Sequence, residues 1–270
     1  MFLESIATVA TDDRVSTLPE SISPDLLIDR IEKFVRLDAA DMASIRRITR
    51  HRRQMSAHET LVHEDRRPDK IYLLLSGFAI RYRYLVDGRR QVFGYILPGD
   101  LCDTHFVISN NCDHQVTLLS DADVAVIAPA DLMATMVSHP RIERALLLMS
   151  LVDAAILREC LLNLGQRNAF EKLAHFFCEI TARLAAVDLV NSDGSFSLPL
   201  TQNDLADTMG LTVVHVNRML RRFRDEGLLC WSRRRVTILD RARLELAADF
   251  KDGYLRLGKC RTEPQLCAYG

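Results

Sequence analysis

Residues 201–227, TQNDLADTMGLTVVHVNRMLRRFRDEG, constrain the chain most, because their local signals allow little besides two short helices joined by a tight turn. Thr201 followed three residues later by Asp204 has the form of a capping box, with Asp in place of the usual Glu, and the acid suits the positive end of a helix dipole. A first helix is therefore expected from Gln202. Leu205, Ala206 and Met209 follow at helical spacing, and Gly210 tolerates the left-handed backbone at which the helix must stop. Thr212 is a second N-cap. Val213, Val216, Leu220 and Phe223 recur every three or four residues until Gly227, which predicts a second helix over 213–226.

The same spacing gives the second helix two faces. Val216, Met219, Leu220 and Phe223 are expected in a core, leaving Val214, His215, Asn217, Arg218, Arg221 and Arg222 on or near the opposite side. A helix that enters a duplex groove reads bases mainly through its first turns. Arg218 has the fork that matches guanine O6 and N7, and Asn217 the amide that matches adenine. Arg221 and Arg222 can neutralise phosphates, while Val213 and Val214 offer methyl groups to thymine. Thr201 and Gln202 at the start of the first helix and Thr212 at the start of the second complete the candidate contact set. Taken singly, each arginine reads equally well as part of a solvated helix face.

The next residues add weight to the groove reading. Residues 228–231 and 236–239 form two short β runs around Ser232-Arg233-Arg234-Arg235, which predicts a hairpin with a triply basic tip, a wing beside the second helix. Residues 201–243 hold nine arginines against five acids, a local charge of +4 in a chain whose total is −1. Positive charge is thus concentrated where a phosphate backbone would lie.

Two domains are expected from 270 residues, and a 48% hydrophobic content suffices for two cores. No apolar run approaches the roughly 20 residues of a membrane span. The acidic beginning, with Glu4, Asp12 and Asp13, lacks the basic start of a secretory signal, so a cytoplasmic location without membrane contact is expected. Seven cysteines, an odd number without a compact framework, suggest mostly reduced thiols.

Along the chain, residues 1–23 carry Ser, Thr, Asp and Pro without a sustained period and read as a flexible leader. Helices are expected over 24–37 and 39–49. From 54 to 127 the pattern changes to short β runs, clearest at 71–75, 79–86, 91–97, 115–119 and 124–127, with turns at Ser76-Gly77, Asp87-Gly88 and Pro98-Gly99-Asp100. That spacing predicts a small antiparallel barrel or roll. After a short helix over 130–137, residues 141–164 contain neither proline nor glycine. Ile142, Met149, Ile156 and Asn163 lie seven apart, with Ala145 and Val152 between them, which approximates a coiled-coil seam between two copies of the chain. Further leucines, among them Leu147, Leu148, Leu151 and Leu157, widen the apolar surface. An amphipathic helix over 168–184 leads to the helix-turn-helix. The expected division is a leader (1–23), a sensor domain (24–137), a dimerisation helix (138–164), a winged helix-turn-helix (165–250) and a polar tail (251–270).

This order of parts resembles the catabolite activator / fumarate-nitrate regulator (Crp/Fnr) family of bacterial transcription factors, over roughly residues 24–250. Its most specific stretches are Leu200-Thr201-Gln202-Asn203-Asp204-Leu205-Ala206 and Val216-Asn217-Arg218-Met219-Leu220. In the roll, Leu75-Ser76-Gly77, Asp87-Gly88-Arg89-Arg90-Gln91 and Pro98-Gly99-Asp100-Leu101 look like the turns of the family's nucleotide domain. The resemblance implies an α+β fold: an antiparallel β-roll of the cyclic-nucleotide-binding type, a long dimerisation helix and a C-terminal winged helix-turn-helix. It also implies a homodimer on a palindromic site in double-stranded DNA, with Arg218 contacting a base and RNA polymerase as a candidate partner.

Two departures bear on the signal. Members that bind cyclic AMP carry an acid after the glycine and, about ten residues on, an Arg-Ser or Arg-Thr pair that holds the phosphate. Asp100 can serve as the acid, which makes Gly99, Asp100, Leu101 and Cys102 the candidate effector pocket, but residues 102–114 contain no arginine or lysine. Cyclic nucleotide binding in the usual way is therefore not expected. The oxygen-sensing branch holds an iron–sulfur centre on N-terminal cysteines, and here no cysteine precedes Cys102. In the recognition helix, Val213, Val214 and His215 stand where many members place polar readers, so a different operator preference is expected.

Within the roll, Cys102, His105, Cys112 and His114 form a set of thiols and imidazoles suited to a soft metal or to reversible oxidation, though in no standard zinc spacing. Isolated loop side chains are the ordinary explanation for them. Haem on His51, His58, His63 or His105 lacks an attachment motif. No catalytic residue, metal or cofactor is assigned. The alternatives to a regulator are a metal-dependent β-barrel enzyme, for which His58, Glu59 and His63 are a poor ligand set, and a ligand-binding regulatory subunit, which leaves the winged helix unexplained.

Overall fold

A computed structural model of the chain describes residues 25–102, 104 and 112–258. Two helices, α1 (Leu26–Ile31) and α2 (Ala39–Ile48), precede eight strands: β1 (Arg52–Met55), β2 (Thr60–Val62), β3 (Ile71–Leu74), β4 (Ala79–Tyr84), β5 (Arg90–Ile96), β6 (Leu101–Cys102), β7 (Gln115–Leu118) and β8 (Ala122–Ile127). They form two four-stranded sheets, ordered β1-β8-β3-β6 and β2-β7-β4-β5, in which every pairing is antiparallel. The expected roll is present. Strands β1, β2 and β6 had no separate sequence signal, being two to four residues long, too short to show a period of two.

Turn chemistry sets the register. Gly88 takes φ 84° in the turn after Asp87, so β5 folds back on β4 with Tyr84 opposite Arg90, and a bulge at Arg81/Tyr82 bends the pair. Inward residues such as Ile80, Tyr82, Val92 and Tyr95 are buried.

Helix α3 (Pro129–Ser138) leads into α4 (Pro140–Gly165), 26 residues long, and α5 (Ala169–Ala185) follows on a capping box made by Asn168 and Glu171. Ile142, Ala145, Val152, Ile156 and Asn163 of α4 are all buried within a single copy of the chain, the first four in a core shared with α1 and the β3/β8 sheet. This corrects the seam expected from sequence. A seven-residue spacing marks a stripe that meets something, and here it meets the chain's own roll. The surface left uncovered lies on the other side, where Leu147, Leu151, Leu157, Leu161, Leu162 and Leu164 are exposed.

The C-terminal part comprises β9 (Ser195–Ser197), α6 (Gln202–Met209), α7 (Val213–Asp225), β10 (Leu229–Ser232), β11 (Arg235–Ile238) and α8 (Arg241–Ala248). The strands form the sheet β10-β11-β9. One core runs through both halves of the molecule: Tyr82, Val92 and Tyr95 of the roll share it with Phe176, Phe177, Leu205, Met209 and Phe223. At about 1.5–3 kcal/mol for each large side chain buried, this shared core ties the winged helix to the sheet of β4 and β5. The expected polar tail also starts as packed structure, since Leu255 is buried and the Tyr254 hydroxyl donates to Glu179 at 2.6 Å. The leader and the end of the tail lie outside the described residues. Among the described residues no helix is long and apolar enough to cross a membrane.

Candidate nucleic-acid interface

The helix-turn-helix is built on the signals read from its sequence. Thr201 and Asp204 close a reciprocal capping box: the Asp204 N–H donates to Thr201 Oγ1 at 3.1 Å and the Thr201 N–H to the Asp204 carboxylate at 2.8 Å. Gly210 ends α6 at φ 62°, and Thr212 caps α7 by accepting from the His215 N–H at 3.2 Å. Val216, Met219, Leu220 and Phe223 are buried, with Phe223 stacked on Phe170 at a ring distance of 4.3 Å.

The opposite face of α7 is open. Val214 is 79% exposed, and Asn217, Arg218, Arg221 and Arg222 are exposed beside the half-buried Val213 and His215. These side chains are not equally available. Arg222 is fixed over the Phe170 ring, 4.0 Å from its centroid, and donates to Glu226 at 2.6 Å. Asn217 Nδ2 donates to Gln202 Oε1 at 2.6 Å, joining two expected contact residues across the turn. Among the described residues no ion pair holds Arg218 or Arg221. Their guanidiniums stand in water without an internal anion.

The wing forms, with Ser232 opposite Arg235 and a two-residue turn between them, which corrects the triply basic tip to one of two arginines because Arg235 belongs to the strand. Arg233 and Arg234 take φ 49° and 61°, a left-handed pair suited to a tight hairpin but unusual for arginine, which places both exposed side chains at the tip. Arg235 is directed back to Ser195 Oγ, to which it donates at 2.9 and 3.2 Å. A groove of about 220 Å³ lies between wing and first helix, lined by Leu200, Gln202, Trp231, Ser232, Arg233 and Arg234. The first residue of α6 and two arginines are thus among its lining, residue types suited to a phosphate.

On its other side α6 is held by the roll. Arg90 of β5 donates to Asp207 at 2.7 Å and to Asp204 at 2.5 Å. Gln91 donates to the Thr208 carbonyl at 3.2 Å, and the Tyr95 hydroxyl bonds the Thr208 hydroxyl. None of these pairings had a sequence signal, since each joins residues more than 110 positions apart.

The expected effector residues lie elsewhere in the roll. Gly99 takes φ 90° at the turn, and Leu101 and Cys102 are buried. The Asp100 carboxylate is already engaged. It accepts from Arg183 of α5 at 2.7 Å and from the Leu97 N–H at 3.0 Å, and Arg30 of α1 lies 3.6 Å away. Burial opposes its ionisation, but the charges of Arg183 and Arg30 win and hold the carboxyl below the usual carboxylate range. In this structure Asp100 therefore bolts α1 and α5 to the roll and does not present a free carboxylate to a ribose. Of the remaining thiol and imidazole set, Cys102, Cys112 and His114 are buried, and His105 lies outside the described residues.

A β-roll joined through a long helix to a winged helix-turn-helix with an open arginine face defines a class of DNA-binding regulators, and comparison with known proteins gives the family. Residues 52–139 match the cyclic nucleotide-binding domain and residues 171–247 the Crp-like helix-turn-helix domain. The chain is 31% identical over 224 residues to the transcriptional activator protein FnrL of Cereibacter sphaeroides, covering 82% of this chain and 89% of that one. It is 29% identical to the nitrogen fixation regulation protein FixK of Bradyrhizobium diazoefficiens, over 78% of this chain and 87% of the relative. The solved structure of FixK2 from Bradyrhizobium japonicum superposes with a TM-score of 0.65 at 24% identity, covering 73% of this chain and 96% of that one, and shares the fold. The chain belongs to the Crp/Fnr family and is a transcription regulator of that type. These relatives are regulators and not enzymes, and they give the alternative of a barrel enzyme no support.

Proposed function

We propose that the protein acts in the bacterial cytoplasm as a homodimer on a palindromic operator in double-stranded DNA. The observation that carries this reading is the open face of α7, where Arg218 and Arg221 stand without internal partners beside the basic tip of the wing. Arg218 reads a guanine, and Asn217 with Gln202 forms a second polar reader. Val213, Val214 and His215 meet the edges of neighbouring bases. Thr201, Thr212, Arg221, Arg222, Arg233, Arg234 and Arg235 line the phosphate path.

The exposed leucines of α4 are the surface for the twin chain. Leu147, Ala154 and Leu161 lie seven apart, as do Leu157 and Leu164, so they form one continuous stripe. A two-fold pair through this stripe sets the two α7 helices one helical turn of DNA apart. Input at the roll biases that spacing as a population shift, and RNA polymerase is the candidate downstream partner. The roll does not hold cyclic AMP in the usual way. Residues 102–114 supply no cation for the phosphate, and Arg183 and Arg30 occupy the Asp100 carboxylate.

Selection of bound DNA from a random duplex pool tests this reading, and enrichment of a two-fold symmetric site is expected. Enrichment of no palindrome would overturn both the dimer and the operator. Leu161→Glu should give a monomer in sedimentation that no longer retains the selected site.

A further inference from the structure

Away from the DNA-facing surface, three metal-ligating side chains meet at the entry to β7. The sulfur of Cys112, a carboxylate oxygen of Asp113 and a ring nitrogen of His114 all lie within 4.8 Å of one another. His114 Nδ1 is 2.7 Å from Asp113 Oδ1 and 3.9 Å from Cys112 Sγ. Both Cys112 and His114, just before β7, are buried. Between them the Asp113 side chain stays 87% exposed while its carboxylate reaches back to the imidazole.

The surroundings hold these donors in place. The Cys112 carbonyl accepts from the Asp65 N–H at 2.9 Å, and the Phe93 ring meets the His114 ring edge to face at 5.5 Å. The thiol donates to the His114 carbonyl at 3.0 Å. A tetrahedral zinc ion about 2.3 Å from sulfur and about 2.0 Å from nitrogen sets those two atoms roughly 3.5 Å apart. The observed 3.9 Å is close to that separation, and the Asp113–His114 pair and the thiol's hydrogen bond to the His114 carbonyl give way when an ion enters.

We propose that Cys112, Asp113 and His114 form a binding site for a borderline-soft divalent cation of the zinc class, with its fourth position open to solvent beside Asp113. A thiol, an imidazole and a carboxylate together suit zinc better than magnesium or calcium, which prefer all-oxygen sets. Binding breaks the S–H bond of Cys112 and releases that proton to solvent. The imidazole binds neutral through Nδ1 with its proton on Nε2, and Asp113 binds as the carboxylate. Two anionic ligands then balance the divalent charge. Through Phe93 the site adjoins β5, the strand whose Arg90 and Tyr95 hold α6.

The test uses the full-length, tag-free, reduced protein stripped with chelator. Zinc is titrated against a chromogenic competitor, and cobalt(II) serves as an absorbing probe. One equivalent per chain is expected, with a thiolate-to-cobalt charge-transfer band and release of one proton per ion. Cys112→Ser and His114→Gln should each weaken binding at least tenfold and remove the band or shift it, while Cys230→Ser should change nothing. Asp113→Asn, at an exposed position that tolerates substitution, should weaken binding several-fold and keeps the test decisive if a buried variant fails to fold. Wild-type protein that takes up no stoichiometric zinc, or an Asp113→Asn protein that binds as the wild type does, would overturn the site. Neither result depends on whether the chain binds its operator.

Discussion

The two helices of the helix-turn-helix carry charge in opposite ways. On α6 the acids Asp204 and Asp207 are neutralised by Arg90 from the roll, in a cluster whose Arg90 and Asp204 side chains are 19% and 8% exposed. On α7 the guanidiniums of Arg218 and Arg221 face water. The difference shows that a local net charge understates what an approaching duplex meets. Of the five acids within residues 201–243, Asp204 and Asp207 are silenced from inside, and Glu226 is paired with Arg222. The Glu226 pair uses up an arginine as well, but Arg90 comes from outside the segment, so its pairing with two acids leaves arginines for an external anion.

The strongest way to break this comparison is to remove the internal cation. Arg90→Met removes the only cation paired with the buried Asp204 and the half-buried Asp207 among the described residues, and stability should fall by up to about 3 kcal/mol, read as a lower denaturant midpoint. A midpoint equal to wild type would mean that α6 is not held by this cluster.

A second test uses pH. Burial, reinforced by Arg167, pushes the His175 imidazole down to about 4, despite Glu159 lying 3.3 Å from its Nε2. The unfolded chain takes up this proton near pH 6.5 and the folded chain only near 4, so acidification favours the unfolded state. Stability should be fully present above pH 6.5 and decline by about 3 kcal/mol between 6.5 and 4, as one imidazole requires. His175→Gln should flatten the profile over that window in pH-dependent urea melts. Asp100, whose carboxyl is held low, adds its own loss only as pH falls below the usual carboxylate range.

On the exposed side the expected effects are smaller and fall on binding. Arg218→Ala should cost about 1–3 kcal/mol of operator affinity and relax specificity at one base pair, with the folding midpoint unchanged. Equal affinity and selectivity in a competition shift assay would remove Arg218 as a reader. Arg234→Ala should weaken binding to all duplexes alike and lower the salt slope by about 1. A sequence-dependent change would instead make the wing a reader.

Much of the DNA-facing half was legible in the sequence. The Thr201/Asp204 box, the Gly210 stop, the Thr212 cap and the buried stripe of α7 all operate within a few residues, and the structure contains each of them. Asp204 shows where that legibility ends. Its role as a cap was visible, but its second partner, Arg90, comes from 114 residues away and was read only as part of a turn motif. Asp100 reads as a ligand acid because it follows the turn glycine, yet Arg183 claims it from α5. In α4 the periodicity announced an apolar stripe at Ile142, Val152 and Ile156 but not which surface would cover it.

Short windows of the chain thus determine the helices, turns, caps and faces, because backbone hydrogen bonding and side-chain periodicity act over three to five residues. The docking of the winged helix on the roll, the pairing of Asp100 and the face of α4 left open were decided only in the folded chain. Each depends on which distant guanidinium or apolar surface reaches a group first, and burial makes such partners count for far more than they would in water.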